Sequence, residues 1–239
     1  GCPWNEIFAF ISDTPLGSAS IAQVHRATLK TGEEVVIKVQ RKGIYETMAR
    51  DIGLMHKAVR LMPPVSIKGA VDLNMVLSEL WTVTQEEMNF LTEAANISEF
   101  AKKNKGVGFV KVPILYREYT TTHVLVMEYI DGIAINDKEK LLQNGYDLNE
   151  IGSKFVDNFI RQVIEDGFFH ADPHPGNIWV KDGKILWLDL GMMGRLSAKD
   201  RASFRKAIMA LVTGDVYEMK EAILALGVPR GKVDHVQLY

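Results

Sequence analysis

The sequence predicts an α+β protein of two lobes, an N-terminal lobe that mixes strands with helices and a C-terminal lobe that is mainly helical. Runs rich in β-branched residues alternate with helical periodicity before residue 131, and helical periodicity dominates after residue 137. The 239 residues, 47% apolar and 24% charged, suffice for one large domain or two lobes with hydrophobic cores. Two such lobes are expected to form a cleft.

Two β-hairpins are predicted in the first half of the chain. Residues 21–29 and 34–40 are rich in β-branched side chains and flank a short turn that contains Gly32. Residues 110–119 and 123–130 are expected to pair in the same way across three threonines. The N-terminal lobe should therefore contain an antiparallel sheet.

Helical spacing of apolar residues predicts two extra helices between these hairpins. The first covers residues 44–61 and is stopped by Pro63 and Pro64, because proline lacks an amide donor. The second is a longer, single helix over residues 73–103.

The second half is predicted to hold three helices around one small hairpin. The helices cover residues 151–165, 197–213 and 216–226, and paired strands are expected in 178–190 around Asp182 and Gly183. Ser197 can cap the second of these helices, and Gly227 can end the third.

The composition excludes several classes of protein. Lysine and arginine number 28 against 30 aspartate and glutamate, so the net charge of −2 lacks the positive excess typical of nucleic-acid binding. The single cysteine, Cys2, excludes an internal disulfide framework and a cysteine-based zinc site. No apolar run of roughly 18 residues predicts a membrane span, and no signal peptide is recognised. We expect a cytoplasmic protein, with any membrane association provided by segments outside this chain.

The most informative segment is residues 170–177, HADPHPGN, which is followed by the triplet DLG at 189–191. The spacing H-x-D-x-x-x-x-N and then D-x-G is typical of phosphoryl transfer. Such chemistry needs a carboxylate that orients and deprotonates an acceptor hydroxyl, here Asp172. It also needs oxygen ligands for Mg²⁺ on nucleotide phosphates, here Asn177 and Asp189. Since Asp189 stands among apolar residues, its carboxylate would be costly to bury unless a cation neutralised it.

Two other interpretations of this segment stay open. A loop rich in proline, glycine, asparagine and aspartate can be turn chemistry alone, with both histidines incidental. Alternatively, His170, Asp172 and His174 could hold a transition metal, although no third imidazole or thiolate lies nearby at ligand spacing.

An upstream lysine supplies the other half of a nucleotide site. Lys38 ends an apolar strand run, where its ammonium can reach from the sheet to α- and β-phosphate oxygens. Glu93 in the long helix is its expected partner, although Glu93 lies with Glu86, Asn89 and Asn96 on a polar stripe that could simply face solvent. That stripe is opposite the predicted apolar face of Met88, Leu91 and Ala95.

Small residues before the first strand suit a loop that approaches phosphate groups with its main-chain amides. The predicted nucleotide loop consists of Leu16, Gly17, Ser18, Ala19, Ser20, Ile21, Ala22, Gln23 and Val24. It is not a G-x-G-x-x-G loop. Alanine and serine in place of two glycines have less access to positive φ, so the loop should be stiffer.

Residues 124–132 have the pattern of a buried strand that exits into a turn, as a connector between two lobes does. Main-chain groups of Glu128 and Ile130 could bond an adenine edge there, with Met127 behind the ring. By itself this segment is equally consistent with a core strand.

Together these segments resemble the UbiB family of atypical protein-kinase-like proteins, also called the aarF or Abc-one family, over essentially the whole chain. The hallmark segments are residues 20–27 (SIAQVHRA), 37–41 (IKVQR), 93–96 (EAAN) and 167–177 (GFFHADPHPGN). The resemblance implies a bilobal protein-kinase-like fold, an N-lobe in residues 1–132 and a helical C-lobe in residues 133–239.

The resemblance also implies binding of Mg²⁺ with ATP or ADP and a role connected with isoprenoid quinone biosynthesis at a membrane. It makes Lys38 the nucleotide lysine, Glu93 its ion-pair partner, Asp172 the proton acceptor, and Asn177 and Asp189 metal ligands. The implied partners are a nucleotide and either an isoprenoid or quinone lipid or the proteins of quinone biosynthesis.

Three departures from the family pattern stand out. The E-x-D motif of the family is Glu87-Met88-Asn89 here, which removes one carboxylate. Leu190 occupies the place of the phenylalanine in the metal triplet of protein kinases. The K-x-G-Q motif is not in this sequence, so the resemblance implies a fragment that covers the kinase-like core.

Three functions fit these observations. The first is an active atypical kinase or ATPase, and the second is a nucleotide-switched regulator that binds lipid or protein without transferring phosphate to a protein. The third is a small-molecule kinase similar to aminoglycoside phosphotransferases, which share both motifs. The alanine-rich loop and the long insertion between Lys38 and Glu93 argue against the third.

Overall fold

A computed structural model of the chain describes residues 3–61 and 73–226, and these residues form the expected α+β structure. The strands are β1 (Phe8–Ile11), β2 (Gly17–Ser18), β3 (Ala22–Leu29), β4 (Glu34–Gln40), β5 (Val110–Lys111), β6 (Val124–Glu128), β7 (Ile133–Ala134), β8 (Phe168–His170), β9 (Ile178–Lys181), β10 (Lys184–Trp187) and β11 (Met193–Arg195). The α-helices are α1 (Trp4–Ile7), α2 (Ile44–Leu61), α3 (Leu73–Glu87), α4 (Phe90–Lys103), α5 (Lys138–Gln143), α6 (Leu148–Arg161), α7 (Ala198–Thr213) and α8 (Val216–Leu226).

Some expectations fall outside the described residues, namely the helix stops at Pro63, Pro64 and Gly227 and the single Cys2. None of the described helices has the length and the apolar run needed to cross a bilayer.

The chain divides into two compact units. Among the described residues, the first comprises 3–61, 73–102, 112–131 and 189–191, and the second comprises 103–111, 132–188 and 192–226. The D-x-G triplet therefore belongs to the same unit as the N-terminal strands.

An antiparallel sheet forms the centre of the first unit, with strand order β1-β3-β4-β6 and β2 beside β3. The predicted hairpin of β3 and β4 is confirmed, with register pairs that run from Ala22–Gln40 to Thr28–Glu34. Its turn contains Gly32 at φ 102°, a backbone conformation that side chains with a Cβ rarely adopt.

The two faces of this sheet differ in chemistry because side chains alternate along each strand. One face carries the hydrophobic core of Phe8, Ala27, Leu29, Val35, Ile37 and Val126. On the other face, Val36 and Lys38 of β4 lie directly opposite the buried residues Met127 and Leu125 of β6. Lys38 thus projects from an apolar sheet surface.

The helix predicted over residues 44–61 is confirmed as α2, but the single helix predicted over 73–103 is wrong. The chain breaks at Met88 and Asn89 into α3 and α4. Asn89 accepts a hydrogen bond from the Leu91 amide through its side-chain oxygen at 3.1 Å, so Asn89 caps α4. Apolar periodicity continues across such a cap and does not reveal it.

The second unit holds a four-stranded sheet of order β5-β10-β9-β7 and a two-stranded pair of β8 and β11. The predicted hairpin of β9 and β10 is confirmed, and its turn uses positive φ at Asp182 (51°) and Gly183 (70°). The largest fully buried side chains of this unit include Leu141, Phe168, Ile178, Ile185, Leu186 and Trp187.

The predicted pairing of residues 110–119 with 123–130 is confirmed only for a short antiparallel contact, in which the amides of Tyr116 and Glu128 donate to the carbonyls of Val126 and Ile114. Only Val110–Lys111 forms a strand in the first of these segments, and it pairs in parallel with β10. Pro113 has no amide hydrogen and cannot continue a strand ladder. Beyond it, an isolated bridge at Leu115 is the remaining strand-like contact with β6.

The helices of the second unit agree with expectation only in part, because α5 was not predicted and α6 begins at Leu148 rather than at residue 151. Helix α6 begins after Asp147, which caps it, and at Gln162 the helix widens into a π turn that ends at Gly167 (φ 59°). Helices α7 and α8 are confirmed, and Ser197 caps α7 by accepting a hydrogen bond from the Asp200 amide at 3.1 Å.

Candidate functional site

Lys38 lies between two carboxylates in the first unit. Its Nζ is 2.8 Å from Oε2 of Glu93 and 3.2 Å from Oδ2 of Asp189. The same atom lies 5.4 Å from the centre of the Phe90 ring, within cation–π range. Only 13% of the lysine side chain and 4% of the glutamate side chain are exposed, so water screens their attraction weakly. We call Lys38, Glu93 and Asp189 the lysine cluster.

Burial and the attraction between opposite charges shift the pKa values of Lys38 and Glu93 in opposite directions. Burial lowers the pKa of Lys38, but the carboxylates of Glu93 and Asp189 outweigh it and raise that pKa above its ordinary value. For Glu93 burial dominates and raises the pKa to about 7, despite the attraction of Lys38. Oε1 of Glu93 is buried without a hydrogen-bond partner among the described residues, so the cluster contains an unsatisfied polar atom.

Helix α4 presents polar residues inward at the site. Glu93 and Asn96, expected on a stripe that could face solvent, are only 4% and 8% exposed. The predicted apolar face is confirmed at Met88 but wrong at Leu91 and Ala95, because both of these are exposed and Ile97 is buried instead. The break between α3 and α4 resets the helical phase, so a pattern counted through one long helix selects the wrong face.

Main-chain contacts hold the D-x-G triplet in the first unit. Nδ2 of Asn96 donates a buried hydrogen bond to the Leu190 carbonyl at 2.9 Å, and the Gly191 amide donates to Oδ1 of Asp189 at 3.0 Å. The expectation that apolar neighbours bury Asp189 is wrong, because its side chain is 45% exposed. The triplet follows the β9–β10 hairpin in the chain, and the Asp189 carboxylate pairs with Lys38.

Two residues beside the lysine cluster were not predicted to serve it. Phe90 places its ring near the Lys38 ammonium, and Asn96 fastens the triplet. A signal existed for Asn96, because a residue three positions after Glu93 on a helix shares its face. No signal in the sequence identifies Phe90, since an aromatic residue at a helix start ordinarily packs in a core.

The predicted nucleotide loop is held by its own hydrogen bonds. Gly17–Ser18 pairs with β3, and the Ala19 amide donates to the Ala22 carbonyl at 2.9 Å. Arg41, just beyond β4, donates to the Ser18 hydroxyl and to the Ala19 carbonyl. Of the nine residues, Ala22 is buried, Ile21, Gln23 and Val24 are half-buried, and Leu16, Gly17, Ser18, Ala19 and Ser20 are exposed.

The predicted adenine segment lies at the end of β6 and just beyond it. Met127 and Ile130 are each 8% exposed, and Glu128 is half-buried. Met127 shares the sheet face of Lys38. The Glu128 amide donates to the Ile114 carbonyl at 2.8 Å, so this main-chain group is already bonded within the unit.

Asp172 and Asn177 lie in the second unit, in the loop that follows β8. The carbonyl of Asp172 accepts hydrogen bonds from the His174 amide at 2.7 Å and from Nδ2 of Asn177 at 3.3 Å. The loop is thus closed around the main chain of Asp172, and Asp172 itself is exposed. An exposed carboxylate on a fixed main chain is suited to meet an acceptor hydroxyl.

The two histidines of this loop have structural partners. His170 is 1% exposed, its Nδ1 accepts a hydrogen bond from the Asp172 amide at 3.2 Å, and its ring stacks on Trp187. Nδ1 of His174 accepts from the Gly176 amide at 3.1 Å. Both imidazoles therefore shape the loop, which argues against the transition-metal alternative. In the described part of the chain, no group of three or more His, Cys, Asp or Glu side chains could hold a metal ion.

Asp189 in the first unit and Asn177 in the second each carry a side-chain oxygen of the kind that Mg²⁺ accepts as a ligand. Proteins usually hold Mg²⁺ with one or two side-chain oxygens and leave other positions to phosphate oxygens and water. Asp189 supplies a half-exposed carboxylate, and Asn177, whose Nδ2 serves the loop, can offer Oδ1. A cage made of protein ligands alone is not required for this kind of binding.

Comparison with known proteins adds the following findings. Residues 1–223 match the family model described as ABC1 atypical kinase-like domain. The chain is 40% identical over 232 residues, 97% of its length, to the "Uncharacterized protein in hydrogenase 1 5'region" of Clostridium pasteurianum, and covers 44% of that protein. It is 34% identical over 233 residues, 95% of its length, to "Probable protein kinase UbiB" of Marinobacter nauticus, and covers 43% of that protein.

A plant protein and a solved structure extend these findings. "Protein ACTIVITY OF BC1 COMPLEX KINASE 8, chloroplastic" of Arabidopsis thaliana is 37% identical over 240 residues, 97% of this chain and 31% of that protein. The solved complex of Rv3197 with erythromycin, from Mycobacterium tuberculosis, has a TM-score of 0.74 and 26% identity, and the match covers 99% of this chain and 60% of that one. The chain spans less than half the length of each of these three curated relatives.

Proposed function

Because the chain belongs to the ABC1 atypical kinase-like family, we propose that it binds ATP or ADP with Mg²⁺ and acts as an atypical kinase or ATPase. The lysine cluster is the observation that carries this proposal. Its ammonium is buried, projects from an apolar sheet face and is oriented by two carboxylates. Such a group can bind phosphate oxygens, while apolar side chains on the same face contact a base.

Five of the predicted residues each have one role in this proposal. Lys38 binds the α- and β-phosphate oxygens, and Glu93 orients its ammonium. Asp189 and Asn177 hold Mg²⁺, which when bound neutralises charge that develops on the phosphates. Asp172 orients a hydroxyl or a water and accepts its proton.

A nucleotide-switched regulator is the second candidate, and the bonding within the nucleotide loop favours it. The Ala19 amide is bonded to Ala22, and Arg41 ties the loop to the end of β4. A nucleotide that uses these groups must rearrange the loop, so occupancy can change its conformation. In this candidate, the change of conformation alters contact with an isoprenoid or quinone lipid or with proteins of quinone biosynthesis. Both candidates are proposed to act in isoprenoid quinone biosynthesis.

Thermal unfolding with ATP or ADP, with and without Mg²⁺, tests nucleotide binding. A ligand at ~100 times its Kd stabilises the folded state by about 2.7 kcal/mol, so the melting temperature should rise. Asp189→Asn should lose the part of the rise that depends on Mg²⁺. Asp182→Asn is the matched control and should keep it, because Asp182 lies in the β9–β10 turn and asparagine tolerates its positive φ.

Phosphate release by the same proteins separates the two candidates. Asp172→Asn should keep the thermal shift and lose phosphate release by a factor of about 100 or more. Full release by Asp172→Asn contradicts the kinase or ATPase, and a thermal shift without release by the wild type favours the regulator. If no condition produces a shift, both candidates are wrong.

A further inference from the structure

A connected set of buried polar side chains runs through the second unit and takes no part in the roles assigned above. Its members are each 5% exposed or less: Asn104, Asn158, Gln162, His170 and Trp187. A hydrophobic core normally excludes such groups, because burying a polar group costs free energy unless it is hydrogen-bonded. Stability alone does not require polar side chains at these positions. Their presence is explained by the positions that their hydrogen bonds fix.

Asn158 is the centre of this set, which we call the amide network. Its Oδ1 accepts hydrogen bonds from Nε2 of Gln162 at 2.8 Å and from Nε1 of Trp187 at 2.9 Å. Its Nδ2 donates to Oδ1 of Asn104 at 2.8 Å. The indole of Trp187 can only donate, so Asn158 must present its oxygen there, and the orientation of the Asn158 side-chain amide is fixed.

The amide network ends on the main chain that carries Asp172. Oε1 of Gln162 accepts a hydrogen bond from the His170 amide at 3.0 Å, and Nδ1 of His170 accepts from the Asp172 amide at 3.2 Å. The His170 ring is held against Trp187 at 5.2 Å between ring centres. Buried groups therefore fix the main-chain amides on both sides of Ala171.

Because Asp172 is exposed, its position depends on the hydrogen bonds of its main chain. The carboxylate of Asp172 cannot be held by packing, because Asp172 is exposed. Its main chain is held instead, through the amide by His170 and through the carbonyl by His174 and Asn177. Errors of about 1 Å in the position of a reacting group can lower a rate about 100-fold, so this anchoring has consequences for catalysis.

We propose that Gln162 is a positioning residue, which acts through His170 to set the place of Asp172. This inference rests on the proposed function, in which Asp172 is the proton acceptor. The π turn supports it, since Gln162 is the first residue where α6 departs from α-helical bonding, and such turns are frequent at functional sites. A helix that ended with ordinary α-helical hydrogen bonds would need neither the π turn nor a buried glutamine.

Gln162→Met tests the proposal, because methionine has a similar length and removes both hydrogen bonds of the glutamine side chain. We expect kcat for Mg²⁺-dependent phosphate release to fall about 10- to 100-fold while KM for the nucleotide stays within about twofold. Hydrogen exchange should become faster at the His170 and Asp172 amides. His170→Phe, which keeps a stacked ring and removes Nδ1, should show the same loss of kcat and serves if Gln162→Met does not fold.

Asn104→Leu is the matched control, because it removes a buried hydrogen bond at the far end of the amide network. It should unfold more easily but keep kcat within about twofold of the wild type. Equal losses of kcat in Gln162→Met and Asn104→Leu would show that the network only stabilises the fold, and would overturn the proposal. Unchanged exchange at the Asp172 amide in Gln162→Met would overturn it as well. If the wild type releases no phosphate, the proposed kinase or ATPase activity fails, and the exchange measurement still decides whether Gln162 anchors Asp172.

Discussion

Lys38 is a buried charge that has two partners rather than one. Removing the partner of a buried ion typically costs about 3–5 kcal/mol, because the remaining charge is left uncompensated. Asp189 lies 3.2 Å from the Lys38 ammonium, so Glu93 can take up a proton while Lys38 remains paired. This arrangement lets the pKa of Glu93 lie at about 7 without leaving an isolated charge.

Glu93→Gln should remove a dependence of stability on pH. The pKa of Glu93 is about 7 in the folded chain, against about 4.3 for an unperturbed glutamate. The folded state therefore binds this proton more tightly than the unfolded state, so wild-type stability falls as the pH rises between these values. Relative to the wild type, the variant should gain about 2 kcal/mol in free energy of unfolding between about pH 5 and pH 8. Urea unfolding at both pH values measures the difference.

Glu86→Gln provides the control at the same scale. Glu86 is exposed on α3, so its removal takes away a carboxylate that has no buried environment. The pH dependence of its unfolding should match that of the wild type. If Glu93→Gln also follows the wild type, burial of Glu93 is not the source of the dependence.

At the scale of the element, the junction of α6 and β8 depends on Gly167. This residue ends the π turn at φ 59°. A Cβ at this position would lie 2.6 Å from Cδ of Arg201 and 2.9 Å from the Leu196 carbonyl oxygen. Gly167 is therefore required both for its backbone conformation and for space.

Gly167→Ala should lower the free energy of unfolding by about 3 kcal/mol, because strain and steric overlap add. Gly145→Ala isolates the first contribution, since Gly145 also has positive φ, 80°, but a Cβ added there would meet no atom within 4 Å. That control should lose about 1 kcal/mol. Chemical denaturation of both variants gives the comparison, and equal losses would mean that Arg201 and Leu196 move aside at no cost.

At the scale of the whole molecule, the charge balance predicts which polymers the chain does not bind. The net charge is −2 and the isoelectric point is about 6.3. The three lysines of the densest basic stretch lie at the C-terminal end of α4 or just after it, and the Lys103 ammonium donates to the Asp166 carbonyl. Lysines at a helix C-terminus are favoured by the helix dipole, which accounts for their position without a nucleic acid.

We therefore expect no mobility shift of a short DNA duplex with about 10 µM protein at an ionic strength of about 0.15 M. Non-specific binding is driven by counterions that leave the DNA when lysine and arginine neutralise its phosphates. A chain with a net charge of −2 gains too little from this release under these conditions. Replacing Lys102, Lys103 and Lys105 with alanine should change nothing in this assay. A shift that weakens with added salt and disappears in the triple variant would contradict this expectation.

The sequence alone predicts the elements that are formed by residues close together in the chain. The hairpins of β3 with β4 and of β9 with β10 follow from turn residues between strand-like runs, and Ser197 caps α7 as its position indicates. Motif spacing likewise identified the family, since the UbiB resemblance is confirmed by the match of residues 1–223 and by the relative from Marinobacter. Local backbone preferences and fixed spacings suffice for these conclusions.

Only the tertiary structure decided which distant residues meet. It broke the long helix at Asn89, gave β5 a parallel partner and turned Asn96 inward on α4. It also placed Asp189 with Lys38 and built the amide network around Asn158. Each of these outcomes depends on burial and on hydrogen bonds between segments far apart in the chain, and local periodicity carries no information about such partners.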